Sequence, residues 1–573
     1  MNCFKRRRSP LAVNAEFATE EDENSPEGPQ DAEKGLDQIV PKIQSSRASE
    51  PRETVYRTAL VESWKTEDEI MCQKTDTADR PPRIRHTEDV DGPNLASHLP
   101  AVVVHSVHRR PLPFQITDQA VLLFLNISGL TSLCERYSQT AGTGIEQLTE
   151  TLNGYISAIV SNIISYDGDI LKFTEDCILS MWPVYSFLLV TPTVERAIQC
   201  ALDIQRKHGT YTTSDGVTLE VKLGVAAGEV RILIIGNADE RRYVEVGRGI
   251  EDVVKAKNMC EKSGDVVVAP SAWIHCYKHL RTDHVEMHDT RFIKVTRLYP
   301  RRSLAYRTIA VTTYTENPDL SFRSLTAPSR MILDQSSGEV VASSSKELLL
   351  EDNGEQTNVR PLQNFSLLEL FIPKPVLRNI EDGQPLESLS EIRQVTTLLV
   401  RFGVNKNVTK YGYRLLMQRC YEVIYAKAKR MRGCIGKISA FDEGHPTFMV
   451  IFGLPGYEHE NDSADGLDCA YEIYTELSEI ERLKQTSIAV TTGSTYCGIV
   501  GHDQRHEYTM IGRPVSMGPR LVTHYRGKVV CDHTTFYNSK LNETCFTAQE
   551  LKQMSGIQVE TVREYCPLIT SKV

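Results

Sequence analysis

Asn126 closes an apolar run, Val121-Leu-Leu-Phe-Leu125, and leads into Ile127-Ser-Gly-Leu-Thr131. A strand that turns through glycine into a helix presents backbone N–H groups and a positive helix end, which suits a phosphate. Ser128, Gly129, Leu130 and Thr131 are therefore candidate phosphate contacts. Asp176 falls in the turn Thr174-Glu-Asp176 of a predicted hairpin. Asn126, Asp176 and the Ile127 carbonyl would offer oxygens to Mg2+, which favours carboxylates, waters and substrate phosphates. Later in the chain Lys437, Thr509, Ser516 and Arg520 form a second polar set, suited to base recognition and a cationic clamp. Most glycine turns of this kind are plain connections, so the elements that position these residues decide their meaning.

After the opening strand, Thr143 and Glu146 make a capping box. Ile145, Leu148, Leu152, Ile156, Ile159 and Ile163 follow at helical spacing. Gly168–Phe173 and Cys177–Trp182 predict a hairpin, and a helix is expected from about Thr193 to Lys207. Strands are expected at Leu219–Val225 and Val230–Ile235, a helix from Gly249 to Cys260, and a strand at Asp265–Ala269. That order predicts an α+β unit of ferredoxin-like βαββαβ type, with helices on one face of the sheet.

The unit then repeats. Gly168 and Gly433, Val221 and Thr486, and Arg242 and Glu507 open matching segments, each pair 265 positions apart. Equal offsets at three landmarks indicate tandem duplication. Two diverged copies predict a pseudo-twofold pair with a cleft between them, to which each copy contributes different side chains. The copies are unequal: Val400-Arg-Phe402 and Phe441-Asp-Glu443 do not reproduce the Asn126/Asp176 pair. The expected organisation is a disordered N-terminal region over 1–95, a first domain over 96–300, a linker over 301–388 and a second domain over 389–573. Within the linker, Ser366–Ile372 reads as a docked segment.

The 573 residues carry 65 Lys and Arg against 75 Asp and Glu, a formal charge of −10, so no global nucleic-acid footprint is present. No apolar run approaches a spanning helix, and the start, with Lys5 to Arg8, is not a secretory peptide. That basic run fits either a nuclear address or a solvated terminus. The 14 cysteines lack zinc spacing and read as reduced thiols of a cytoplasmic protein. There is no GxxxxGK[ST] loop and no HExxH.

Phe124-Leu-Asn-Ile-Ser-Gly129, Gly168–Phe173 with Asp176, Lys222–Gly228, Cys497–His502 and His506–Gly512 together resemble the paired catalytic domains of class III nucleotidyl cyclases, of the soluble, bicarbonate-responsive adenylyl type. The resemblance covers about residues 98–565 and is weakest in the linker. It implies conversion of ATP to cyclic AMP and pyrophosphate with two Mg2+ ions, for which Mn2+ can substitute. It implies metal-ligand positions at Asn126, Ile127 and Asp176, a triphosphate contact at Lys222 and adenine contacts at Lys437 and Thr509. Ser516 falls at the ribose-orienting position, Arg520 at the position that stabilises transition-state charge, and Lys172 in an anion site of the pseudo-symmetric pocket. As a bare residue, Lys172 reads equally as a partner of Asp176.

Three departures stand out. Asn126 replaces a metal-binding Asp, Ser516 replaces the ribose Asn, and Val254 replaces an Arg of the anion pocket, which implies little response to bicarbonate. Pro519 also enters the helix that carries Arg520 and is expected to kink it. Two readings follow: an adenylyl cyclase-like enzyme impaired by Asn126, or a pseudo-cyclase that binds nucleotide or partner with little turnover.

Overall fold

The computed structural model describes residues 95–107, 111–138, 144–277, 281–287, 292–299, 331–333, 340–342, 367–551 and 561–567. The N-terminal region, most of the linker, Ser366 and Thr143 of the capping box lie outside them.

A short helix α1 (Ala101–Ser106) precedes β1 (Phe114–Ser128), α2 (Leu130–Ser138) and α3 (Gly144–Ser165). The hairpin is β2 (Asp169–Phe173) and β3 (Cys177–Pro183), followed by α4 (Val190–His208), β4 (Thr210–Thr212) and β5 (Thr218–Gly236). Then come β6 (Arg241–Val246), α5 (Arg248–Asn258), β7 (Val266–Val268), α6 (Pro270–Cys276), β8 (Arg281–Met287) and β9 (Phe292–Tyr299). The sheet order is β2-β3-β1-β5-β7-β9-β8, with β4 and β6 also paired to β5. A separate two-stranded ribbon, β10 (Met331–Leu333) with β11 (Val340–Ala342), falls in the linker.

The second copy follows α7 (Lys374–Glu381). It comprises β12 (Glu391–Val404), α8 (Lys410–Arg430), β13 (Cys434–Ser439), β14 (Thr447–Phe452), α9 (Asp462–Ser478), β15 (Leu483–His502) and β16 (Arg505–Ile511). It ends with α10 (Arg513–His524), β17 (Val529–Asp532), α11 (His533–Ser539), β18 (Phe546–Gln549) and β19 (Val562–Tyr565). Its order, β13-β14-β12-β15-β17-β19-β18 with β16 on β15, repeats that of the first sheet.

Three details depart from the sequence expectation. β1 runs past Asn126 to Ser128, because its ladder with β5 continues to the pair Ser128–Glu220. The two strands expected over 219–235 are one strand, β5, paired with β1 from Phe114–Ile234 to Ser128–Glu220. Ala226, Ala227 and Gly228, between the two expected segments, stay in the ladder and pass close to a helix: a Cβ on Gly228 would stand 3.2 Å from the Gly249 Cα.

Helices also cover both faces of the first sheet. Val121, Leu123 and Leu125 pack under α3 and α4, whereas Leu122 and Phe124 pack with Ile250 and Val253 of α5 and with second-copy residues. A strand apolar on both faces needs cover on both, which is why β1 reads as an unbroken apolar run.

The copies grip each other reciprocally. Arg242 of β6 donates to the Ile435 and Gly436 carbonyls on β13 at 2.7 and 3.2 Å. Arg505 of β16 donates to the Ile170 and Leu171 carbonyls on β2 at 3.0 and 3.5 Å. Each arginine has its own carboxylate, Glu240 at 2.7 Å and Glu507 at 3.0 Å. The ion pair thus runs Glu-x-Arg in one copy and Arg-x-Glu in the other. Leu368, Phe371 and Ile372 bury against the shared core, so this part of the linker is docked.

Candidate nucleotide site between the two copies

A cleft of about 890 Å3 opens between the copies. One wall is the β1–α2 turn. Gly129 has φ 96°, and a Cβ there would come within 2.5 Å of the Thr218 carbonyl oxygen, so glycine is required for the chain to turn. The turn aims the N-terminus of α2 into the cleft, with Ser128, Gly129, Leu130 and Thr131 on its surface.

Asn126 and Asp176 meet at the foot of this wall because Asn126 of β1 pairs with Cys177 of β3. Asn126 Nδ2 donates to Asp176 Oδ2 at 2.7 Å and to the Asp176 carbonyl at 3.3 Å, and it lies 3.2 Å from Cys177 Sγ. The Cys177 thiol donates to the other carboxylate oxygen, Oδ1, at 3.0 Å. Ile127 N–H donates to the Asp176 carbonyl at 2.6 Å. Burial, then the neighbouring Asp176, pushes the Glu175 carboxyl up to about 8 against the pull of Lys437 and Arg520.

The opposite wall comes from the second copy. Lys437 of β13 donates to Thr509 Oγ1 at 2.9 Å and to the Phe173 carbonyl at 2.6 Å, and pairs with Glu507 at 3.3 Å. Desolvation lowers the Lys437 pKa, opposed by Glu507. Ser516 Oγ reaches Thr131 Oγ1 across the cleft at 3.0 Å. Arg520 lines the cleft from α10, which runs unbroken through Pro519. Its Nη1 is buried with no hydrogen-bond partner, which leaves a cationic donor to be satisfied.

Two predicted residues lie elsewhere. Lys222 is not on the cleft wall; it donates to the Cys260 carbonyl at 3.3 Å. Lys172 is 3% exposed and is ion-paired with the fully buried Glu245, also donating to the Ile438 carbonyl at 2.8 Å. The alternative of an Asp176 partner is replaced by this internal carboxylate, which burial raises in pKa and Lys172 opposes, while Lys172 also lines a separate cavity of about 70 Å3 between the copies. The counterpart of Glu245 one repeat on is Met510, so motif matching gave no sign of it.

Sequence reasoning also passed over Lys257 and Glu175, both on the cleft wall. Lys257 Nζ sits 5.8 Å from the Phe124 ring centroid. The available signal was its helical spacing: it lies three residues after Val254, on the same face of α5. A cation absent at Val254 therefore returns one turn later.

No family model matches the chain. It is 30% identical over 473 residues to adenylate cyclase type 10 of Homo sapiens, which covers 81% of this chain and 27% of that protein. The chain is homologous to soluble adenylyl cyclase. Adenylate cyclase type 10 of Oryctolagus cuniculus is 31% identical over 467 residues, again 81% of this chain and 27% of the relative. The chain thus spans about a quarter of the length of these relatives. A class III adenylyl cyclase-like ATP-binding protein from Pseudomonas aeruginosa is 12% identical with a TM-score of 0.45, over 81% of this chain and 96% of that one, a likeness too slight to argue from.

The resemblance read in the sequence implies divalent metal at the corner of Asn126, Ile127 and Asp176. The residues here do not fit a pair of divalent ions. Asn126 offers a neutral amide where a second carboxylate ligand would stand, and the Asp176 oxygens already accept from an amide and a thiol. Among the described residues no group of three or more His, Cys, Asp or Glu side chains could hold a metal.

Proposed function

We propose that the cleft binds ATP and that cyclisation to cyclic AMP and pyrophosphate is slow. The observation that carries this reading is the pairing of Lys437 with Thr509 on one wall, facing the glycine turn of α2 on the other. An ammonium beside a hydroxyl can meet the edge of a purine, and a helix N-terminus can meet phosphates. Ser516, bonded to Thr131 across the cleft, lies between these ends and is assigned to the ribose. Arg520 supplies its unpartnered donor to the charge that develops on the transferred phosphorus.

Loss of one carboxylate explains the slow rate. A unit charge about 4 Å from a cation contributes roughly 4 kcal/mol at an effective dielectric of about 20. If that interaction is made only in the transition state, its loss costs about a thousandfold in rate. The two-metal route with Mg2+ or Mn2+ would need the carboxylate that Asn126 lacks. A second reading, a binding module without turnover, is favoured by the Asn126 amide already occupying Asp176.

Purified protein supplied with ATP and either Mg2+ or Mn2+ separates the two. Traces of cyclic AMP that vanish in Asp176→Ala support the slow enzyme. Bound ATP without any cyclic AMP supports the module, and absence of ATP binding sinks both. Among the described residues no helix is long and apolar enough to cross a membrane, and the described cysteines are all free. A cytoplasmic setting belongs to the same proposal and is checked by cell fractionation.

A further inference from the structure

We infer that nucleotide binding in this cleft does not depend on a divalent cation, because Asn126 gives Asp176 the positive partner that a cation would otherwise provide. The inference rests on the ATP-site reading and extends it to the chemical form of the ligand: the metal-free triphosphate is bound as well as its metal complex.

The geometry at the corner is one-sided. All three polar contacts of Asn126 Nδ2 fall on Asp176 and Cys177. The backbone register fixes this placement, since Asn126 and Cys177 face each other across the β1–β3 ladder. A carboxylate selects the donor end of a facing amide, because the amide oxygen would meet it with like partial charge. The other carboxylate oxygen takes the Cys177 thiol. A cation entering here must displace hydrogen bonds that the protein already makes to Asp176, and Asn126 would give it a neutral oxygen in place of a carboxylate.

Fixed charges can meet the phosphates instead. Lys257 and Arg520 both line the same cleft as the α2 turn. Neither is held in an ion pair by a described carboxylate, and Arg520 Nη1 is buried without a partner. Two cations and a helix N-terminus provide the type of site that binds phosphate without metal.

The test is calorimetric titration of ATP into the full chain in EDTA, and again in excess Mg2+ or Mn2+. The expected Kd values agree within fivefold. A larger loss of affinity in EDTA overturns the inference while leaving the ATP site in place. In Asn126→Asp the amide donor becomes a second carboxylate, and ATP affinity is expected to fall at least tenfold in EDTA and return with Mn2+. If that variant is as indifferent to metal as the parent, Asn126 is not the cause and the inference fails. Lack of ATP binding in every buffer instead removes the nucleotide reading itself. A melting curve of each protein in Mn2+ confirms that the variant is folded.

Discussion

Arg520→Met separates a residue kept for ligand binding from one kept for stability. In the free protein Arg520 Nη1 is buried and unsatisfied. A buried donor left unmade costs on the order of 1–3 kcal/mol. Methionine keeps much of the stem packing and removes that donor. Its electrostatic pull on Glu175 is the second cause opposing the raised carboxyl pKa there, after Lys437, and losing it offsets part of the gain. The net expectation is unchanged or higher stability by up to about 1 kcal/mol, which for a domain of this size is about 2–4 °C in Tm. Against ATP the guanidinium would make charged hydrogen bonds of about 1.5–3 kcal/mol, so affinity should drop roughly 10- to 150-fold. Scanning fluorimetry and calorimetric titration of the same preparation give both numbers. A Tm lowered by several degrees with unchanged ATP affinity would refute the assignment, since it would make Arg520 a structural residue.

Other perturbations bear on the corner, the clamp and the N-terminal contact. Asn126→Asp places a carboxylate where an amide now donates at 2.7 Å. With Asp176 exposed, like-charge repulsion near the water limit costs about 1 kcal/mol at about 4 Å, so Tm should fall in EDTA and recover with Mn2+. An unchanged melt in EDTA would count against the pair. Arg505→Ala strands the Ile170 and His98 carbonyls and leaves Glu507 with Lys437 and the Phe173 N–H. Breaking a buried pair of this kind costs about 3–5 kcal/mol, readable in urea unfolding, and a loss below about 1 kcal/mol would show the clamp to be dispensable. His98, 4% exposed, lies with its Nε2 3.2 Å from that of His506, and burial, then His506 and Arg505, depress its pKa well below 6.5. Its unfolded form takes up protons first, so stability is full above about pH 6.5 and declines as pH falls towards the folded value. His98→Gln should flatten that decline, and an identical pH–Tm profile in the variant would exclude His98 as its source.

Much of the fold was legible because the sequence carries local signals twice. Apolar spacing gave α3, the hairpin turn fell where it was expected, and the constant offset between Gly168 and Gly433 announced two like units. The misreadings share one cause. The two strands expected over 219–225 and 230–235 are local apolar runs, and only their shared ladder with β1 joins them into one. The expected layering failed because periodicity shows that Leu122 is buried, not that α5 is what buries it.

The site divides in the same way. Residue type and order were enough to single out Asn126, Asp176, Lys437, Thr509, Ser516 and Arg520, and all of them line one cleft. Backbone turns and strand register are local, so the sequence determined the glycine turn at Gly129 and the placement of Asn126 beside the hairpin end. Only the tertiary structure decided which charges are already spoken for. Lys172 is taken by Glu245, Lys222 turns to the Cys260 carbonyl, Lys257 enters the cleft, and Arg520 keeps a free donor. The physical reason is that charge pairing depends on distance in space and on burial, and neither is a property of position along the chain.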